Sequence, residues 1–252
     1  MGAAAYGVGA LNSLRVLGLV PARGGSKGLP GKNLRALGGI PLLAHSVRCA
    51  LQSKEIARTV VTTDSDAIAA AALEAGADVP FRRPAELASD QAAMWPVVQH
   101  AVRTLLEQGD AYDAVMLLDP TSPWRTPLDI ARACELLAAD PAADGVVAVS
   151  EPPFSPYWHC VVRDGPYMRD LMPGAEQYVR RQDLPPVFRI TGALYLWRTS
   201  FVLEVTNWRA GHIVPMVMDE GHAVHIDTPE QFELAELLLE RGLLTFPWMR
   251  ER

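Results

Sequence analysis

Short apolar runs alternate with amphipathic segments along most of this 252-residue chain. The apolar runs are rich in β-branched residues and end in polar loops, as buried strands do, whereas the segments between them have the apolar spacing of helices. Strands are predicted at 15–22, 58–64, 113–119, 145–150 and 187–198, and a last one at the start of the segment 222–242. This alternation predicts an α/β three-layer sandwich with a mostly parallel sheet.

Individual residue types mark where helices begin. Pro41 is expected at the first position of one helix, and Thr126 is expected to cap another that starts at Pro127. Thr228 stands three residues before Gln231, which is the spacing of a capping box, ahead of an amphipathic closing helix.

The segment 151–186 interrupts the alternation. It holds 7 of the chain's 20 prolines and no long helical pattern. Because proline-rich stretches break regular structure, this segment is predicted to be an arm inserted into the α/β domain.

A basic, glycine-rich loop follows the first predicted strand, in the stretch VPARGGSKGLPGKN from Val20 to Asn33. It fits neither the Walker template, which needs Ser or Thr where this chain has Asn33, nor the glycine spacing of the dinucleotide-binding template. Ligands of α/β proteins nevertheless gather at the carboxyl ends of strands, and glycines let backbone N–H groups approach phosphate oxygens. With Arg23, Lys27 and Lys32 to neutralise charge, the loop predicts a triphosphate site.

The charge distribution also favours a polyanionic ligand. Residues 1–54 contain seven Lys or Arg and no Asp or Glu, although the whole chain has a net charge of −6. A local positive field attracts a compact anion such as a nucleoside triphosphate, whereas the net acidity argues against nucleic acid as a partner.

The remaining composition excludes other classes. No apolar run approaches the ~20 residues of a membrane span, so no membrane partner is expected. Cys49, Cys134 and Cys160 lack the spacing of a disulfide framework or a metal site, which predicts a cytoplasmic protein. Residues 1–14 show no targeting pattern and are expected to be a flexible tail, followed by one folded domain at 15–252.

PARGGSKGLPGKN closely resembles the signature of the sugar-acid cytidylyltransferases, the acylneuraminate (CMP-sialic acid synthetase-like) family. FRRPAELASD (81–90), LLDPTSPWR (117–125), RRQDLPPVFRITGALYL (180–196) and HIDTPEQFELAE (225–236) occur in that family's order and at about its spacing. The resemblance implies a Rossmann-like domain whose arm, here 151–186, helps to form a homodimer. It also implies a reaction in which CTP is joined to the anomeric hydroxyl of a 2-keto-3-deoxy sugar acid, with release of pyrophosphate and with Mg²⁺ as cofactor.

The resemblance assigns roles position by position. The nucleotide-binding set is Ala22, Arg23, Gly24, Gly25, Ser26, Lys27, Lys32, Asn33 and Arg83, of which Arg83 would help to read the cytosine. The sugar-binding set is Asp119, Arg181, Gln182 and Thr191, with Arg181 on the sugar carboxylate. Arg23, Lys27 and Asp227 would be catalytic, because positioning and charge stabilisation are most of what nucleotidyl transfer requires.

Two departures from the family pattern concern the metal site. The family's Asp-Ile-Asp is His225-Ile226-Asp227 here, and Asp119 stands where the sialic acid branch usually has Gln. We therefore expect Asp119 and Asp227 to bridge Mg²⁺, which takes one or two carboxylates together with phosphates. His225 is expected to share a strand face with Asp227 and is either a further metal or phosphate contact or a packed histidine. His222 would face the other side, which disfavours zinc.

Two more departures concern the sugar pocket. Thr191-Gly192-Ala193 replaces the family's Asn-Gly-Ala, and Trp158 or His159 stands where sialic acid synthetases often carry a lysine. A nine-carbon sialic-acid-like substrate is favoured, and legionaminic, pseudaminic, deaminated and eight-carbon acids stay open.

Several other residues have a structural interpretation. Asp64 and Asp66 are expected to cap a helix rather than to bind metal. Arg125 is expected to hold its own loop, paired with an acid, and Trp124 and Trp197 are expected to pack in the core.

Two rival functions stay open on the sequence alone. One is nucleotidyl transfer to a sugar phosphate or phosphonate. The other is nucleotide binding without catalysis, after loss of the metal pair at His225.

Overall fold

The computed structural model describes residues 14–249, so residues 1–13 of the predicted tail lie outside the described part of the chain. The strands are β1 (Val16–Pro21), β2 (Ala36–Leu37), β3 (Ile40–Pro41), β4 (Ile56–Thr62), β5 (Ala114–Leu117), β6 (Gly145–Ser150), β7 (Val161–Asp164), β8 (Tyr167–Asp170), β9 (Arg189–Arg198) and β10 (Ile213–Val217). The helices are α1 (Leu42–Leu51), α2 (Asp66–Glu74), α3 (Met94–Glu107), α4 (Pro127–Ala139), α5 (Pro156–His159), α6 (Thr199–Glu204) and α7 (Pro229–Glu240).

The central sheet has six strands in the order β10-β6-β9-β5-β1-β4. Its pairs are parallel except where β9 runs antiparallel to both of its neighbours, β5 and β6. The predicted mostly parallel sheet is therefore confirmed. The direction of β9 was not predicted, because a strand buried on both faces has the same apolar pattern whichever way it runs.

Helices cover both faces of this sheet. Along β1, Val16 and Val20 pack into the cluster formed with α1, α2 and α4, whereas Leu17 and Leu19 pack on the other side with α3 and α6. Each face therefore buries its own apolar layer, and the three-layer prediction is confirmed.

The helix starts agree with the sequence in two cases out of three. Thr126 and Thr228 each form a complete capping box, at α4 and α7. Pro41, however, lies in extended backbone at the end of β3 (φ −51°, ψ 137°), so α1 begins one residue later than predicted.

The last predicted strand was wrong in position. The sheet ends instead with β10, an edge strand that contains Pro215, and proline inside a strand is tolerated at an edge. Residues 220–223 form a 3₁₀ turn, and 224–227 have no regular secondary structure and do not join the sheet. The Ile226 N–H donates to the Thr121 carbonyl (2.8 Å), which fixes this segment beside the end of β5.

Residues 151–186, the segment predicted to be an inserted arm, contain one short helix, α5, and a hairpin of β7 and β8. This segment exposes many apolar side chains: Phe154, Trp158, Val161, Tyr167, Met168, Leu171 and Val179. Across residues 14–249, no helix is both long and apolar enough to cross a membrane. The three cysteines are free thiols.

Candidate functional site

The glycine-rich loop is pinned at the carboxyl end of β1 by hydrogen bonds from neighbouring segments. The Gly24 N–H donates to Asp64 Oδ1 (2.9 Å), and Asn33 Nδ2 donates to the Arg23 carbonyl (3.0 Å). The helix α2 is capped by Ser65, whose Oγ accepts from the Ile68 N–H, so the capping role predicted for Asp64 was wrong. Asp64 instead shapes the loop.

The same loop packs directly against the segment that carries Asp227. A Cβ atom on Gly28 would lie 2.7 Å from the Asp227 carbonyl oxygen, so this close approach needs glycine. Lys32 Nζ lies 2.6 Å from Asp227 Oδ1. The loop and the acidic segment thus form a single wall.

That wall borders a cleft of about 590 Å³. Most of the predicted nucleotide and metal residues line it: Arg23, Ser26, Lys27, Lys32, Asn33, Arg83, Asp119, His225 and Asp227. Asp90, Met94 and Thr121 also line it and were not predicted. Ala22, Gly24 and Gly25 belong to the loop but not to the lining of the cleft, and Ala22 is buried.

Two of the predicted phosphate-binding cations share one carboxylate. Arg23 Nη1 lies 2.8 Å from Asp90 Oδ1, and Lys27 Nζ lies 2.5 Å from Asp90 Oδ2. The Lys27 side chain is 82% exposed and the Arg23 side chain 33%, so both are accessible to a ligand in the cleft.

Arg83 is a buried cation that also lines the cleft. Its guanidinium donates to the Thr62 hydroxyl (Nε, 3.3 Å) and to the Thr62 carbonyl (Nη2, 2.5 Å). Burial lowers the pKa of Arg83 to about 10, which still leaves it protonated near neutral pH. A fixed, buried donor of this kind can select a hydrogen-bonding group on a ligand.

A chain of polar contacts connects the two carboxylates predicted to hold metal. Asp119 Oδ1 accepts from the Thr121 hydroxyl (2.8 Å), which lies 3.2 Å from His225 Nε2. His225 Nε2 in turn lies 2.9 Å from Asp227 Oδ2. Burial alone would raise the pKa of Asp227, but the hydrogen bond from Lys32 and the nearby His225 lower it overall, so the carboxylate is ionised.

The donors in this part of the cleft suit a hard cation better than a soft one. Within residues 14–249, no group of three or more His, Cys, Asp and Glu side chains is placed to hold a metal ion by itself. Asp119 and Asp227 supply carboxylate oxygens, which fits Mg²⁺ completed by substrate phosphates. His225 Nδ1 lies 2.8 Å from Ser122 Oγ, so both ring nitrogens already have protein partners.

A second cavity of about 540 Å³ adjoins the cleft and was not predicted. Asp119 and Met94 line both spaces. Its wall is aromatic and includes Trp95, Tyr195, Trp197 and Trp208, together with the polar residues Thr206 and Asn207. Tyr195 and Trp208 meet edge to face, with 5.6 Å between ring centroids. In the sequence these aromatic residues lie in distant segments, and nothing in their spacing predicts that they converge.

Three of the predicted sugar-binding residues lie outside both spaces. The Thr191 hydroxyl is buried and donates to the Ala148 carbonyl (3.1 Å). Arg181 and Gln182 are exposed on the arm, and Arg181 lines a separate cavity of about 180 Å³. The alternation of strands and helices, from which the sheet was predicted, stops at residue 151 and therefore could not predict where Arg181 and Gln182 lie.

Arg125 has the structural role predicted, but without an acidic partner. It is fully buried and donates to the Ala193 carbonyl (2.5 Å), to Ser46 Oγ (2.8 Å) and to the Asp119 carbonyl. It therefore fixes the backbone that presents the Asp119 side chain. Trp124 and Trp197 are buried in the core, as predicted.

Comparisons with known proteins identify the family of this chain. A family model described as Cytidylyltransferase matches residues 17–245. The CMP-N,N'-diacetyllegionaminic acid synthase of Legionella pneumophila is 36% identical over 234 residues, covering 90% of this chain and 97% of its own. The pseudaminic acid cytidylyltransferase of Campylobacter jejuni is 30% identical over 227 residues, with 89% and 96% covered. The fold is similar to that of a CMP:2-keto-3-deoxy-manno-octonic acid synthetase solved with CTP (TM-score 0.68, 18% identity, 90% and 99% covered).

Proposed function

Because this chain belongs to the cytidylyltransferase family, we propose that it joins CTP to the anomeric hydroxyl of a sialic-acid-like 2-keto-3-deoxy sugar acid. The products are the CMP-sugar and pyrophosphate. Relatives named for legionaminic and pseudaminic acids favour a nine-carbon acid of that kind as the acceptor. Since the reaction consumes CTP, we place the protein in the cytoplasm.

The observation that carries the proposal is the convergence of opposite charges in one cleft. The cations Arg23, Lys27 and Lys32 line the same space as the carboxylates Asp119 and Asp227. A triphosphate needs the cations, and its metal needs the carboxylates. This arrangement supports nucleotidyl transfer over simple nucleotide binding.

The reaction follows from where these groups lie. The acceptor oxygen forms a bond to the α-phosphorus, the bond from that phosphorus to the bridging oxygen breaks, and the hydroxyl proton passes to water. Arg23, Lys27 and Lys32 stabilise the charge that develops on the leaving pyrophosphate. Arg83 holds the base from its buried position, and Asn33 fixes the loop through the Arg23 carbonyl.

Asp119 and Asp227 are the residues that would hold Mg²⁺. The ion, when bound, neutralises the phosphates and polarises the α-phosphoryl group. We assign His225 a supporting role, because its two ring nitrogens contact Ser122 and Asp227 and keep the Asp227 carboxylate in place.

We place the sugar acid in the aromatic cavity next to the cleft. Asp119 lies where the two spaces meet, so an acceptor bound there presents its hydroxyl near the α-phosphate. Trp208 and Tyr195 offer apolar faces to the carbon skeleton and acyl groups of such a sugar, while Asn207 and Thr206 offer hydrogen bonds. Trp208→Ala is expected to raise the KM for the sugar acid about tenfold or more and to leave the KM for CTP within a factor of two.

We also propose that the arm makes the protein a homodimer. The apolar side chains that it exposes are numerous for a surface with no partner. Tyr167 and Met168 on β8 are 78% and 72% exposed, and replacing both with Ser is expected to convert a dimer into a monomer in sedimentation analysis. A wild-type protein that sediments as a monomer would exclude this assembly.

The proposed function is tested by pyrophosphate release. Purified protein with CTP, Mg²⁺ and a panel of eight- and nine-carbon sugar acids should release pyrophosphate with at least one acceptor. A thermal-shift comparison of the four ribonucleoside triphosphates should favour CTP. The absence of pyrophosphate release with every acid of the panel, or equal thermal stabilisation by all four nucleotides, would reject the proposal.

A further inference from the structure

Asp90 occupies the space between two cations that the proposed function assigns to the triphosphate. One of its oxygens contacts Arg23 Nη1 at 2.8 Å, and the other contacts Lys27 Nζ at 2.5 Å. A carboxylate with one cation on each oxygen presents the same pattern as two oxygens of a phosphate group. Asp90 is therefore an anion already bound in the place where the polyphosphate is expected.

We propose that Asp90 is an internal competitor for the polyphosphate: it holds Arg23 and Lys27 when the cleft is empty and must leave them when CTP binds. It lowers the affinity of the cleft for CTP and for the pyrophosphate product alike. By returning to the two cations, it also promotes release of pyrophosphate. This inference rests on the proposed function and deepens it.

The strengths of the contacts suit an exchange of this kind. The Asp90 and Arg23 side chains are each about a third exposed, and Lys27 is mostly exposed, so the two ion pairs are weak and rapidly broken. A polyphosphate carries several negative charges, whereas Asp90 carries one. At low ionic strength the polyphosphate therefore binds Arg23 and Lys27 more strongly and displaces Asp90. The hydrogen bond from Lys27 lowers the pKa of Asp90, which keeps the carboxylate ionised near neutral pH.

The position of Asp90 in the chain also allows it to withdraw. It lies in a turn between the 3₁₀ helix Ala85–Leu87 and α3, and the turn is largely exposed. Its carboxylate can therefore swing away without unpacking the core. Met94, the first residue of α3, lines both the cleft and the aromatic cavity, so the turn that carries Asp90 borders both substrates.

The experiment measures binding of inorganic pyrophosphate and tripolyphosphate by titration calorimetry, in EDTA and at low ionic strength. Asp90→Asn and Asp90→Ala are expected to bind both anions about three- to tenfold more tightly than wild type, because the competing anion is gone. The control is Glu86→Gln, which removes one negative charge from an exposed residue four positions away that does not contact Arg23 or Lys27. It is expected to change affinity by less than a factor of two.

A double-mutant cycle separates competition from a merely structural contact. If Asp90 competes, Lys27→Gln weakens pyrophosphate binding more in the Asp90→Asn background than in wild type, because Lys27 is no longer shared. If Asp90 only holds the turn in place, its variants bind pyrophosphate no better than wild type and unfold at a lower temperature, which would overturn the inference.

The outcomes also distinguish this inference from the proposed function. Wild-type binding of CTP and pyrophosphate without any gain in the Asp90 variants would refute the competition alone. Failure of wild type and both Asp90 variants to bind either polyphosphate or CTP would refute both proposals.

Discussion

Lys32 Nζ lies 2.6 Å from Asp227 Oδ1, which joins the glycine-rich loop to a segment 195 residues further along the chain. The Lys32 side chain is only 12% exposed, so the pair is partly shielded from solvent. In the free protein, Lys32 neutralises Asp227. In the proposed reaction, Lys32 would turn to a phosphate and the Asp227 carboxylate would turn to the metal. The loop and the carboxylate are thus positioned for each other before any ligand binds.

Asp227→Asn is expected to lower kcat by about 10²-fold or more, because it removes a carboxylate proposed to hold the Mg²⁺ that would neutralise charge on the phosphates. The KM for CTP should change far less, since Arg23, Lys27 and Arg83 are unaltered. Pyrophosphate-release kinetics measure both parameters. Glu233→Gln, at an exposed position of α7, is the matched control and should behave as wild type. An Asp227→Asn enzyme with wild-type kcat would show that Asp227 has no role in the reaction.

Asp119→Asn tests whether Asp119 shares the metal with Asp227. The amide keeps an oxygen that can accept from Thr121, so the loop should stay folded, but the charge that favours Mg²⁺ is lost. We expect the Mg²⁺ concentration for half-maximal activity to rise about tenfold to a hundredfold. Turnover that survives at ordinary Mg²⁺ concentrations would contradict the bridging role.

Gly28→Ala is expected to separate the loop from the acidic segment. The added Cβ would lie 2.7 Å from the Asp227 carbonyl oxygen, and backbone atoms on both sides cannot yield as a flexible side chain does. We expect CTP binding to weaken by at least tenfold, since misplacement by about 1 Å at such sites costs about that much or more. Thermal unfolding of both variants checks the fold: Gly25→Ala, whose Cβ meets no protein atom within 4 Å, should keep wild-type stability, whereas Gly28→Ala should lose stability.

The sequence predicted most of the central sheet, and it picked out basic loop residues that line the cleft, because both depend on local signals. The apolar run of β6, the capping boxes at Thr126 and Thr228, and the glycine and lysine spacing of the loop each follow from residues close together in the chain. Lys32 was predicted from the loop itself and Asp227 from the family resemblance, and the structure brings the two into contact.

What the sequence missed depends on how distant segments meet. Trp95, Tyr195 and Trp208 form one wall although they lie on separate elements, and each alone is typical of a core residue. The contacts of Asp90 with Arg23 and Lys27 were not predicted, because they join segments that lie far apart in the chain. The sugar-binding predictions on the arm depended most on the resemblance, because proline-rich segments have no periodicity from which to place a side chain.

Arg125→Met is expected to destabilise the fold by about 3 kcal/mol or more, because it removes the buried guanidinium that donates to Ser46 Oγ and to the carbonyl groups of Ala193 and Asp119. Guanidinium chloride unfolding measures the change. Arg103→Met on the exposed face of α3 should shift the free energy of unfolding by no more than about 0.5 kcal/mol. A similarly small change for Arg125→Met would mean that water satisfies those carbonyl groups.

His222 and Asp129 should give the fold a pH-dependent stabilisation. His222 Nδ1 lies 3.5 Å from Asp129 Oδ2, and this contact raises the pKa of His222. Burial alone would raise the pKa of Asp129, but the hydrogen bonds from His222 and Thr126 lower it overall. Asp219 is a second acid close to His222 and acts on it in the same direction as Asp129.

The signs of the two shifts define the pH range. The contribution of His222 is complete below its unfolded pKa of about 6.5 and is lost as the pH rises through its higher folded pKa. The contribution of Asp129 is present above about pH 3.9 and is lost as the pH falls through its lower folded pKa. His222→Gln should therefore cost more stability at pH 5.5 than at pH 8.5, by less than about 1 kcal/mol because the His222 side chain is 37% exposed. Urea unfolding at both pH values measures this difference. His212→Gln, which replaces an 89% exposed side chain, is the control. If His222→Gln lost the same stability at both pH values, the pair would contribute no pH-dependent stability.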